Sequence, residues 1–101
     1  MEELSEWLKS QHKGLRTYKT FYRKALEIGA RSKTNYALFY LLAMLVDRFI
    51  EAYDERPLTL DVTEEAHKRL ISITDEAAHF PKMAPDRQIA FLNKIAASDL
   101  A

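Results

Sequence analysis

The sequence predicts an all-α domain, a compact bundle of four to five helices with a central hydrophobic helix at about 35–53. Three features predict it. Only two glycines and three prolines occur in 101 residues, whereas a sandwich or barrel needs turn signals roughly every 8–12 residues. Ala, Leu, Lys and Glu, the good helix formers, are plentiful. Apolar residues recur three and four apart, the period of a helix with one buried face. An apolar content of 48% suits one core, so residues 1–101 are expected to form a single helical domain, with five Tyr, five Phe and Trp7 supplying bulk.

The first helix is expected at about Glu3–Gln11, with Leu4, Trp7 and Leu8 on one side. Gly14 either breaks the chain or is a tolerated glycine inside a longer helix. In the second helix, about Leu15–Ala30, Leu15, Tyr18, Phe21, Tyr22, Ala25, Leu26, Ile28 and Gly29 fall within roughly 160° of arc at about 100° per residue. The opposite side carries His12, Lys13, Arg16, Lys19, Arg23, Lys24 and Arg31 with Glu27 among them. Gly29 through Lys33 reads as its C-terminus.

Ser32 or Thr34 is expected to cap the third helix, about Asn35–Tyr53. Its run from Tyr36 to Val46 is apolar on every face, and a helix apolar all round is covered all round. It therefore belongs in the middle of the bundle or is completed by a second subunit, with Tyr36, Phe39, Tyr40, Leu41 and Met44 as candidate oligomer contacts. Beyond the run, Phe49, Ile50 and Tyr53 oppose Asp47, Arg48, Glu51 and Asp54, and Pro57 prevents continuation.

Leu58–Val62 alternates like a strand but has no partner strand, so it is expected to be a packed connection. Asp61 or Thr63 should cap the fourth helix, about Glu64–His79, whose stripe is Ala66, Leu70, Ile73, Ala77 and Phe80. Pro81 and Pro85 bracket a short loop. Pro85 opens a last helix to about Ala97, with Ile89, Leu92, Ile95 and Ala96 as its apolar face.

The formal net charge of zero conceals a polarised chain. Residues 9–33 hold eight basic side chains against Glu27 alone, +7, while residues 34–101 sum to −4 and residues 1–8 to −3. Such a dipolar arrangement steers encounter with a charged partner even at zero net charge. The candidate contacts for an acidic partner or a phosphate backbone are Lys13, Arg16, Lys19, Arg23, Lys24 and Arg31.

Catalytic chemistry finds little support. With no cysteine, disulfides, thiolate metal sites and cysteine nucleophiles are excluded, and the expected location is cytoplasmic. The acidic N-terminus lacks the pattern of an export signal. The eleven-residue run Tyr36–Val46 falls short of the roughly 20 needed to cross a bilayer. Gly14 and Gly29 cannot build a phosphate-cradling loop, and no nucleophile signature occurs, so neither cofactor nor enzymatic role is expected. Glu64-x-x-His67 and Glu76-x-x-His79 have the spacing of di-metal sites. Both lie on one helix, twelve residues or about 18 Å apart and facing different sides, which leaves them weak metal candidates.

These features favour a non-enzymatic protein-interaction module, such as an adaptor, a regulator or a small assembly subunit, that engages a protein partner or itself as a homodimer. A nucleic-acid-binding accessory protein using the cationic face of residues 12–31 is the alternative. A metal or small apolar-ligand binder ranks third.

Overall fold

The computed structural model describes residues 2–100, and among them five α-helices and no strand occur. Helix α1 (Glu2–Lys9) buries Leu4 and Leu8 completely and half-buries Trp7, the expected triplet. It stops two residues short of Gln11, because the Ser10 hydroxyl and its own N–H both donate to the Trp7 carbonyl, at 2.8 and 3.1 Å. Such a local bond competes with helix continuation. Gly14 then adopts extended backbone as the N-cap of α2 (Leu15–Ala30), which makes α1 and α2 separate helices. The Thr17 hydroxyl donates to the His12 carbonyl at 2.6 Å and ties this connection to the first turn of α2.

Helix α2 packs chiefly against α3 (Tyr36–Tyr53). Gly29 is buried within α2 with no positive φ, so its role is not to end the helix. A Cβ built on Gly29 would lie 2.8 Å from the Phe39 Cβ. The glycine is there for close approach of two helices. In the connection, Ser32 accepts the Asn35 N–H at 3.2 Å, while Asn35 takes the N-cap position expected for Ser32 or Thr34, without a side-chain bond.

The core runs from α2 through α3. Tyr18 and Phe21 are fully buried with Leu38, Leu42, Leu45 and Val46, and Tyr18 meets Phe49 edge-on at 5.0 Å. Burial pushes the Tyr18 phenol up to about 12. Helix α3 also packs on α5 (Pro85–Ala97), and α1 packs on α4 (Leu60–Ala77) and on α2.

Helix α4 corrects the expectation for residues 58–64. Thr59, not Asp61 or Thr63, is the N-cap, its hydroxyl accepting the Val62 N–H at 3.3 Å. Thr63 is buried inside the helix and donates back to the Thr59 carbonyl at 2.9 Å. The apparent alternation arises because Leu60 is left outside, 70% exposed. The stripe Ala66, Leu70, Ile73, Ala77 and Phe80 is buried as expected.

A single 3-10 turn (Phe80–Lys82) leads into α5, where Pro85 starts the helix as expected. Its inner face differs from expectation: Phe91 and Ile95 are buried, whereas Ile89 is 61% exposed and Ala96 is also outside. Phe91 sets the phase, since its ring packs 6.2 Å from that of Phe80. The Gln88 side chain donates to the Phe80 carbonyl at 2.8 Å, and Lys94 pairs with Glu76 at 2.8 Å. Arg48 on α3 donates to the Ser98 carbonyl at 2.7 Å, and Leu100 is buried. The resulting body measures 40 × 23 × 20 Å.

Candidate functional site

Helix α3 is not covered all round. At about 100° per residue, Tyr36, Ala37, Tyr40, Leu41, Met44, Asp47, Arg48, Glu51 and Ala52 occupy one arc of about 160°, and every one of them is exposed or half-buried. The remaining residues of the helix point inward, Leu38, Phe39, Leu42, Ala43, Leu45, Val46 and Phe49 being buried. Met44 lies at the centre of the outward arc. To one side of it runs a row of Tyr36, Tyr40, Asp47 and Glu51; to the other runs a row of Ala37, Leu41, Arg48 and Ala52.

Tyr36 and Tyr40 are 57% and 45% exposed, and their rings stack 6.3 Å apart at an interplanar angle of 12°. They sit one helical turn apart, which brings side chains at i and i+4 together. Of the five residues expected at an oligomer contact, these two are exposed, Leu41 and Met44 are half-buried, and Phe39 is 3% exposed and is spent on the packing against Gly29. Asp47, Arg48, Glu51, Ala37 and Ala52 are the residues of this face that the expected contact set omitted. The signal was present: the polar residues beyond Val46 set the outward phase, and extending that phase back from Asp47 by two and three turns reaches Tyr40 and Tyr36.

Charge differs between the two ends of α3. Arg31 and Lys33 precede its N-terminal end, while Asp47, Glu51 and Glu55 mark its C-terminal end. None of these five forms an ion pair within 4 Å among the described residues. Arg48 lies 3.6 Å from Asp99.

The cationic residues of α2 are less uniform than their helical wheel. Lys13, Arg16, Lys19, Arg23 and Arg31 are exposed, but Lys19 lies 3.5 Å from Asp54. Lys24 is half-buried with its ammonium 5.1 Å above the Trp7 ring, a cation–π contact that fastens α2 to α1. Arg31 donates to the Glu27 carbonyl at 3.4 Å.

Of the weak metal candidates, Glu76 is drawn into an ion pair. Among the described residues no three His, Asp or Glu side chains converge as ligands. Glu76 pairs with Lys94, and His79 precedes the 3-10 turn as its N-cap. Glu64 and His67 border an open cleft of about 600 Å³ together with Lys9, Lys13, Asp61 and Lys68. His67 is only 4% exposed, and its Nδ1 is sealed from solvent without a hydrogen-bond partner. Burial first, and the Lys13 charge second, hold this imidazole below its ordinary range. Asp75 is likewise held low, chiefly by hydrogen bonds from Ser5 and Lys9 that clamp α1 onto α4.

No helix among the described residues is long and apolar enough to cross a membrane. The fold and this surface define a class, an all-α helical bundle with one outward aromatic helix face. Comparison with protein-family models, curated proteins and solved structures finds no match for the chain.

Proposed function

We propose that this chain is a non-enzymatic protein-interaction module, an adaptor, regulator or small assembly subunit, whose docking surface is the outer face of α3. One observation carries the reading: a stacked, exposed Tyr36–Tyr40 pair continuous with half-buried Leu41 and Met44 on a domain whose other large aromatics serve its own core. Tyrosine and methionine are enriched at interfaces, where a flat ring gives large contact area at small entropic cost and the hydroxyl stays satisfied at the rim. Unpaired charges at both ends of the face supply the polar surround that fixes orientation.

A photo-crosslinking amino acid at Tyr40 tests this in cells that express the chain, with the same group at exposed Leu60 as the control. Covalent protein adducts at position 40 that are absent at position 60 are expected. Adducts at neither position, or equally at both, refute the reading.

A second reading, nucleic-acid binding, is favoured by two exposed rings on a helix that Arg31 and Lys33 precede in the chain, since single strands are held by stacking on aromatics in a cationic setting. It is tested with a labelled DNA and RNA pool scanned from about 50 to 200 mM salt. Binding that collapses with salt, each neutralised phosphate of a single strand adding about 0.7 to the log–log slope, supports it. Absence of binding at the lowest salt removes it.

A further inference from the structure

We infer that the occupant of the α3 face is a second copy of this chain, its α3 lying antiparallel to the first about a two-fold axis through Met44. This rests on the proposed docking surface and names its partner. The argument is one of self-complementarity. A two-fold axis perpendicular to two side-by-side helices reverses the direction of each row but keeps it on its own flank, so each row must match itself read backwards.

Both rows of α3 meet that condition. On the first flank Tyr40 faces Asp47 of the second copy and Tyr36 faces its Glu51, so each phenol O–H is presented to a carboxylate, and each carboxylate gains a donor when water is excluded. Neither tyrosine hydroxyl has a hydrogen-bond partner among the described residues. On the second flank Ala37 faces Ala52 and Leu41 faces Arg48, whose aliphatic stem covers apolar surface while its head stays at the rim. Small residues at 37 and 52 let the helix ends approach, and Met44 meets Met44 at the centre, a flexible side chain suited to an irregular gap.

The charge difference points the same way. In the antiparallel arrangement Arg31 and Lys33 of each copy come to the end that carries Glu51 and Glu55 of the other. A parallel arrangement would instead stack like charges at both ends. The pairing also covers the arc of this predominantly apolar helix whose residues are exposed or half-buried, beside the segment of Ser98 and Asp99 that holds the Arg48 head.

The test uses the absence of cysteine from the chain, so that each introduced thiol is the sole one. Under mild oxidation Met44→Cys is expected to cross-link to double mass, about tenfold or more faster than the exposed control Leu60→Cys, because pairing brings two thiols to an effective concentration in the millimolar range. Ala37→Cys alone is expected to react at the control rate, and the double variant Ala37→Cys/Ala52→Cys to cross-link rapidly. Within one chain those two positions are about 22 Å apart along the helix, too far for an internal disulfide. Sedimentation of the unaltered protein should give twice the chain mass, and circular dichroism of each variant should match it.

Rapid cross-linking of Ala37→Cys alone would show a parallel pairing and overturn the inference. Cross-linking of Met44→Cys at the Leu60→Cys rate, or a monomer in sedimentation at all concentrations, would also overturn it. If position 40 nevertheless captures a different protein, the docking surface stands and only the identity of its occupant falls.

Discussion

Gly29→Ala tests the close approach of α2 and α3, because two opposing effects of known size meet at one methyl group. In an open helix interior this substitution stabilises by about 1 kcal/mol, since alanine loses less backbone entropy. Here the new Cβ would stand 2.8 Å from the Phe39 Cβ, whereas ordinary contact begins at 3.4 Å. The obstructing atom is the first of its side chain, so no rotamer change moves it, and α3 itself must retreat by about half an ångström. That displacement loosens a core containing Phe21, Ala25, Leu42 and Val46, all fully buried. Overpacking of this kind costs about 1–3 kcal/mol, and the net expectation is a loss of about 1 kcal/mol. In a domain of this size that lowers Tm by about 4–8 °C. The assay is urea unfolding followed by helical circular dichroism, where the midpoint should fall with unchanged slope. A midpoint that rises by the equivalent of about 1 kcal/mol would refute the geometry, because it would mean the methyl group finds free space.

Two further outcomes are expected. The buried His67 imidazole resists protonation in the folded state, while the unfolded chain takes up that proton near 6.5. Stability is therefore complete above about pH 6.5 and falls as pH drops through it, by at most about 1.4 kcal/mol per unit until the folded imidazole itself protonates. Urea midpoints at pH 7.5 and 5.5 should differ in this sense, and His67→Leu should flatten the difference; an equal slope in both proteins would contradict it. Asp75, held low by Ser5 and Lys9, adds a second loss in the same direction at more acid pH. Thr59→Ala should cost about 1 kcal/mol by removing the N-cap of α4, whereas Asp61→Asn should leave the cap intact. If Asp61→Asn proves the more damaging by thermal melting, the start of α4 has been misplaced.

Much of the architecture was legible in residue spacing. Leu4, Trp7 and Leu8, the α2 arc from Leu15 to Gly29, and the α4 stripe from Ala66 to Phe80 all turn to the interior where their helical period places them. Spacing failed where it admitted two phases or two meanings. Leu58–Val62 alternates because Leu60 happens to face solvent, and α5 offers both an Ile89/Ala96 face and a Phe91/Ile95 face, between which the contact of Phe91 with Phe80 decides. The segment from Gly29 to Lys33 does end α2, at Ala30 with Arg31 as the C-cap, and spacing did not show that Gly29 is also the point of close approach to Phe39.

The candidate surface divides in the same way. An apolar run such as Tyr36–Val46 marks a helix that must be covered, but local composition carries no information about which neighbour covers which side. That depends on long-range packing, here of α2 and α5 on α3, which spends Phe39 on the core and leaves Tyr36 and Tyr40 outside. By itself the sequence determined helical class, most element positions and the polarity of the charge, because these follow from local period and composition. Only the tertiary structure decided which arc of α3 stays open and which cations are already engaged, Lys24 on Trp7 and Lys19 beside Asp54. Both are set by contacts between residues far apart in the chain.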